Sequence, residues 1–237
     1  MLLEARDLSK TFKRGWLKKR KLCAVAKASL RLQQGETIGI VGESGSGKTT
    51  LGLMLAGLLK PDNGQIFFKG KDIIGLSPQE RKEYRRQVQM VFQHPETAFN
   101  PKWKLWKSMA EPFYLHKIPF SEEMISEQLV RVGLNNNILS RYPVQLSGGE
   151  LQRAVIARVM SLNPAVVVLD EPTSMLDTLT QAQIIRLLEK IQKQEGVSYV
   201  FISHDLDLVN LFCRKIYKLE GGVLRLIECD QRQIAGA

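Results

Sequence analysis

Thr37-Ile38-Gly39-Ile40-Val41-Gly42-Glu43-Ser44-Gly45-Ser46-Gly47-Lys48-Thr49-Thr50 is the stretch on which the fold turns. Residues 37–41 read as a buried strand, and from Lys48 to Leu59 apolar residues recur at helical spacing. Lys60-Pro61-Asp62-Asn63-Gly64 then stops the helix with turn chemistry. Between strand and helix the pattern G-x-x-x-x-G-K-[ST] is met at every defined position. From average residue usage, a chance match in a chain of 237 residues is on the order of one in a hundred. The glycines let backbone N–H groups converge on phosphate oxygens at a helix N-terminus. Lys48 adds positive charge toward the β- and γ-phosphates, and the Thr49 hydroxyl suits magnesium. The expected ligands are therefore ATP and Mg2+, with Gly42, Ser44, Gly45, Ser46, Gly47, Lys48, Thr49 and Thr50 as binding residues. An ordinary glycine-rich loop is the plain alternative, and the flanking strand and helix weigh against it.

Outward from this loop, strand and helix patterns alternate. Ile66-Phe67-Phe68 and Val88-Gln89-Met90-Val91-Phe92 read as strands. Ser77-Pro78-Gln79-Glu80 opens a helix with a capping serine, a first-turn proline and a capping-box glutamate. Between Glu96 and Tyr142 strand signals vanish, and Pro95, Pro101, Pro112, Pro119 and Pro143 punctuate short helical pieces, one of them from Ser121 to near Gly133. Beyond this, Gly148-Gly149 opens a helix and 165–169 form a strand. Thr180 to Glu195 is a helix stopped by Gly196, Val200-Phe201-Ile202 is a strand, and Gly221-Gly222 turns a hairpin. Alternating βα units with β-branched strands predict an α/β fold with a mostly parallel sheet.

Val166-Val167-Val168-Leu169-Asp170-Glu171 is an apolar strand ending in two acids. Ligands of open α/β sheets lie beyond the carboxyl ends of the strands. Asp170 is placed to hold magnesium, and Glu171 to polarise an attacking water as general base.

Composition narrows the class. The three cysteines (Cys23, Cys213, Cys229) form no C-x-x-C pair, which argues against a disulfide framework or zinc site and for a reducing cytosol. No apolar run reaches the ~20 residues of a membrane-spanning helix, and the first residues do not resemble a signal peptide. The net charge of +10 draws much of its excess from residues 13–21. That run suits a solvated loop between two strands better than a dedicated binding patch.

Leu146-Ser147-Gly148-Gly149-Glu150-Leu151-Gln152-Arg153 closely resembles the signature motif of the ATP-binding cassette (ABC) ATPases, just upstream of the acidic strand. Other positions follow the same family. Gln93 resembles the Q-loop glutamine that senses magnesium and the attacking water. Ser174-Met175-Leu176-Asp177 looks like the D-loop, His204 resembles the switch histidine that contacts the γ-phosphate, and Phe12, with Trp16 nearby, aligns with the aromatic that stacks on adenine. Glu150 departs from the glutamine usual in the family. An acid there suits the helix dipole but carries negative charge toward a γ-phosphate.

The resemblance implies a P-loop NTPase fold in one domain, residues 1–237, with an N-terminal antiparallel β portion. Residues 1–94 and 144–237 would form the nucleotide-binding core and 95–143 an inserted helical subdomain. It further implies catalytic roles for Glu171, His204 and Gln93, magnesium at Thr49, Gln93 and Asp170, and a dimer in which Ser147, Gly148 and Gly149 of one cassette close over the ATP of another.

Arg81 to Gln93, Phe99-Asn100-Pro101, Arg141-Tyr142-Pro143 and Ser203-His204-Asp205-Leu206 resemble the oligopeptide/dipeptide/nickel importers. The end at Ala237 is nearer the short nickel and metallophore members. The implied protein is the motor subunit of an importer, peripheral on the cytoplasmic face of the inner membrane. Its partners would be a second cassette (a heterodimer favoured over a homodimer), transmembrane permease subunits and an extracytoplasmic substrate-binding protein. A soluble ABC ATPase acting on ribosomes or DNA is the alternative; with no long coiled coil and a single cassette, no nucleic acid is expected.

Overall fold

The computed structural model describes residues 1–14 and 20–227. Residues 15–19 of the basic run, Trp16 among them, lie outside the described residues, as do Cys229 and the chain end at Ala237. The chain opens with β1 (Leu3–Arg14) and β2 (Arg20–Leu32), paired antiparallel. After β3 (Thr37–Val41) and α1 (Lys48–Leu55), β4 (Asn63–Phe68) and β5 (Lys71–Asp72) return to that first sheet, whose order is β2-β1-β4-β5. Next come α2 (Pro78–Gln87), β6 (Val88–Val91), α3 (Leu105–His116), α4 (Glu122–Arg131) and α5 (Gly148–Met160). The remainder is β7 (Val166–Asp170), α6 (Thr178–Glu195), β8 (Ser198–Ser203), α7 (Leu206–Phe212), β9 (Lys215–Glu220) and β10 (Val223–Ile227).

The second sheet has the order β10-β9-β3-β8-β7-β6, parallel except for the antiparallel edge strand β10. Strands β3, β7 and β8 are buried at every residue, as strands covered on both faces must be. Their side chains alternate between two cores. Val167, Leu169, Tyr199 and Phe201 face the helices on one side. Val166, Val168, Val200 and Ile202 face α1 and the antiparallel sheet on the other. The α/β class, the mostly parallel sheet and the antiparallel N-terminal portion are thus those the sequence indicates.

Local signals explain most boundaries. Ser77 and Glu80 make the reciprocal capping box of α2: Ser77 N donates to Glu80 Oε2 at 2.9 Å, and Glu80 N to Ser77 Oγ at 3.4 Å. Gly196, at φ 67°, ends α6. Three boundaries differ from the sequence reading. First, α1 stops at Leu55 rather than Leu59, because Gly57 takes φ 66° and closes a Schellman turn in which Leu58 N donates to Leu53 O at 2.9 Å. Second, α6 starts at Thr178, two residues early, because Asp177 rather than a later residue caps it through Thr180 N at 3.0 Å. Third, α3 runs through Pro112. Burial of Leu105, Met109 and Phe113 along one side outweighs the roughly 3 kcal/mol that an interior proline costs.

The packing predicts two stability losses, both measurable by urea unfolding. Leu129→Ala, a fully buried residue of α4, should cost about 2–5 kcal/mol. Ser77→Ala, which removes a cap and no core contact, should cost about 1 kcal/mol.

Candidate active site

Because β3, β8, β7 and β6 are parallel neighbours, the loops after all four emerge on one edge. Those loops carry Gly42–Thr49, His204, the Asp170-Glu171 pair and Gln93. The convergence brings together residues separated by up to 162 positions, and no local signal requires it.

Glu171 is the hub. Its Oε2 accepts a hydrogen bond from Gln93 Nε2 at 3.2 Å and lies 3.1 Å from His204 Nδ1. Its Oε1 lies 4.0 Å from Lys48 Nζ. The backbone of Glu171 sits at φ 47°, a left-handed conformation that costs a non-glycine residue free energy. Three hydrogen bonds hold it there: Glu171 N donates to Ile202 O of β8 at 2.9 Å, and Ser174 N and Oγ donate to Glu171 O at 3.3 and 3.1 Å. The strain turns this carboxylate off the strand and into the cleft, while Asp170 remains within the sheet edge. Strained backbone of this kind concentrates at functional sites.

Asp170 is buried, and desolvation raises its pKa above the ordinary carboxylate value. The facing Thr49 hydroxyl acts in the opposite direction, and the negative charge of Glu171 adds to the rise. Its Oδ1 has no hydrogen-bond partner, and neither does the buried Oγ of Ser46. Orphaned buried polar atoms carry a free-energy penalty unless a ligand answers them. A carboxylate oxygen beside a threonine hydroxyl is a hard-oxygen donor set suited to magnesium. A hydroxyl within a glycine-rich loop suits a phosphate oxygen. The residues therefore fit both groups.

The loop is shaped by close backbone approach. At Gly47, with φ 104°, a Cβ would lie 2.1 Å from Ala24 O, and at Gly42 one would lie 2.3 Å from Leu219 O. Lys48 Nζ, almost wholly buried, donates to Gly42 O at 2.7 Å and Glu43 O at 2.9 Å, which closes the loop around its own ammonium. The cleft above has a volume of about 1050 Å3. Phe12, Gln93, Glu171 and His204 line it with the loop residues Gly42, Ser44, Gly45, Gly47, Lys48, Thr49 and Thr50. The wall also contains Leu22, Cys23, Ala24, Leu206, Lys218 and Ile227, none of which the sequence marks as a binding residue. Strand register is the missing information: Leu22 is there because it pairs with Phe12, and Lys218 because it pairs with Val41.

Ser147, Gly148 and Gly149 are not part of this cleft. Ser147 and Gly149 line a separate polar groove of about 580 Å3 with Arg141, Arg153, Thr180 and Gln183. Ser147 caps α5 by accepting from Glu150 N at 3.2 Å, and Glu150 Oε2 accepts from Ser147 N at 2.8 Å. That backbone hydrogen bond, with a lesser contribution from the charge of Arg141, holds the Glu150 carboxyl below its ordinary pKa. The acid that departs from the signature pattern thus serves as a structural cap.

Comparison with known proteins agrees with this geometry. The sequence family described as ABC transporter matches residues 25–174. The chain is 46% identical over 216 residues to the oligopeptide transport ATP-binding protein AppF of Bacillus subtilis, covering 88% of this chain and 66% of that protein. It is 42% identical over 221 residues to the nickel import ATP-binding protein NikE of Pseudomonas putida, covering 91% and 78%. The chain spans just under two thirds of the length of the oligopeptide relatives it matches. A dimeric ATP-binding cassette in a post-hydrolysis state, bound to ADP and Pi, superposes with a TM-score of 0.86 at 28% identity, covering 96% of this chain and 99% of that one. With its phosphate loop, acidic strand and signature turn in the family's order, this chain belongs to the ABC transporter family.

Proposed function

We propose that the chain is the ATP-hydrolysing motor subunit of a membrane importer. The observation that carries the reading is the Glu171 carboxylate, turned into the cleft by a strained backbone and contacted by Gln93 and His204 beside Lys48.

In this reading the N–H groups of the Gly42–Thr49 loop and the Lys48 ammonium bind the phosphates, and Phe12 and Leu22 meet the base. Glu171 accepts the proton of the attacking water. Gln93 and His204 orient Glu171, and His204 is placed to meet the γ-phosphate. Thr49, Gln93 and Asp170 would hold Mg2+, which supplies neutralisation of the phosphate charge.

The signature turn lies in a groove of its own, outside the cleft of the same chain. This supports a head-to-tail pair in which Ser147, Gly148 and Gly149 meet the ATP of the partner cassette. The likeness to a dimeric cassette bound to ADP and Pi supports the same arrangement. In this reading residues 95–143 are the helical subdomain of the cassette, and the described residues of 1–94 and 144–237 belong to its core.

The relatives' names favour nickel, metal-chelate or peptide uptake over work on ribosomes or DNA. One solved neighbour, 27% identical, is described as part of the ABC transporter complex cbiONQ, with a TM-score of 0.81. That likeness supports a place in a membrane-transporter complex; the partners in this proposal are a second cassette, favoured as a different chain, with permease subunits and an extracytoplasmic binding protein. No helix among the described residues is long and apolar enough to cross a membrane, in keeping with a peripheral subunit on the cytoplasmic face of the inner membrane.

Two variants test the reading. Glu171→Gln should retain ATP binding, lower turnover by about 100-fold or more, and trap an ATP-bound pair detectable by gel filtration; hydrolysis at the parental rate would remove Glu171 as base. Lys48→Ala should weaken nucleotide binding by about 10-fold or more in titration calorimetry. Unchanged affinity would show that the loop is not the phosphate site.

A further inference from the structure

We propose that Gln181, in the first turn of α6, is a positioning residue for Glu171. The inference rests on the reading of Glu171 as general base and extends it to a side chain outside the cleft. Strand β7 ends at Asp170 and α6 begins at Thr178. Residues 171–177 belong to neither a strand nor a helix, so individual hydrogen bonds set their conformation. Within the segment, Ser174 N and Oγ donate to Glu171 O, and Leu176 N donates to Thr173 O at 3.1 Å. Pro172 has no N–H to contribute. Among the described residues, two groups from other elements hydrogen-bond to the backbone of 171–176. One is Ile202 O, which accepts from Glu171 N. The other is the Gln181 amide, whose Nε2 donates to Thr173 O at 3.0 Å and to Leu176 O at 3.2 Å. Both of its partners are carbonyl oxygens, so only the NH2 side of the amide can answer them.

Gln181 is half-buried, and its helix is fixed by the buried Ile184, Ile185 and Leu188. It ties an irregular segment to a packed element. Ile202 holds the entry to the left-handed residue, and Gln181 holds its exit two residues on. Ser174 lies between the two carbonyls that Gln181 clamps, so the hydrogen bonds it gives to Glu171 O depend on that clamp. Without it the backbone at φ 47° would relax toward an unstrained region and swing the carboxylate away from Gln93 and His204. A misplacement of about 1 Å suffices to cost on the order of 100-fold in rate. The other end of α6 has a matched side chain remote from the site. Gln192 is also half-buried, and its Nε2 donates to Thr37 Oγ1 at 2.9 Å and to Val197 O at 3.2 Å, at the start of β3 rather than its carboxyl end.

Steady-state ATP hydrolysis by the purified full chain tests the clamp. Gln181→Leu and Gln181→Glu both remove the two donors, and each should lower kcat roughly 10-fold or more while KM for ATP changes less than about twofold. Gln192→Leu is the control for loosening of α6 and should keep more than half of the parental kcat. In a Glu171→Gln background, Gln181→Leu should cause no further loss, because it acts through a carboxylate already removed. Circular dichroism and melting temperature verify that each variant is folded. Parental kcat in the folded Gln181 variants would overturn the proposal. So would an equal loss in Gln192→Leu, or an undiminished loss on top of Glu171→Gln, since either would mean a general effect on the fold. Glu171→Gln by itself keeps the two levels apart: hydrolysis at the parental rate there removes the base, whereas slow hydrolysis there with parental Gln181 variants removes only the clamp.

Discussion

The constraint on which the rest of this molecule depends is the parallel pairing of β3 with β8, of β8 with β7, and of β7 with β6. Parallel strands place all their carboxyl ends at one edge, and this sheet can exist only with both faces covered. The helices on one side and α1 with the antiparallel sheet on the other are therefore conditions for the site as well as sources of stability. The exchange of hydrogen bonds across three strand pairs puts the phosphate loop, His204, the acidic pair and Gln93 within contact of one another.

Within that edge, backbone geometry sets the two adjacent acids in different environments. Asp170 continues the strand, is buried, and keeps an unanswered oxygen beside Thr49. Glu171 leaves the strand in a left-handed conformation, anchored by Ile202 O and Ser174, and faces the cleft. One acid thereby suits a cation and the other a water. A substitution that relaxed the turn would lose the division of roles without removing either carboxylate.

The signature turn shows the same economy of means. Its capping box satisfies two N–H groups that would otherwise be orphaned at the start of α5. Glu150 is part of that box, so an unusual residue at a motif position has a structural account of its own. The turn lies apart from the cleft of the same chain, which is the physical ground for proposing a two-cassette mechanism.

Much of this was legible in the sequence because it is local. The loop between β3 and α1, the caps at Ser77 and Ser147, the glycine stop after α6 and the all-apolar strands each depend on residues within a few positions of one another. Two of the boundaries that differ were also local, the Gly57 turn after α1 and the Asp177 cap of α6; longer-range packing decided the third, where burial carried α3 through Pro112. The site divides in the same way. Residue types and spacing identified Lys48, Asp170 and Glu171 as candidates, and the family resemblance added Gln93 and His204. Only the tertiary structure decided that Glu171 stands between Gln93, His204 and Lys48, and that Leu22 and Lys218 share the wall, because strand order and register are set by burial across the whole sheet rather than by neighbours in the chain.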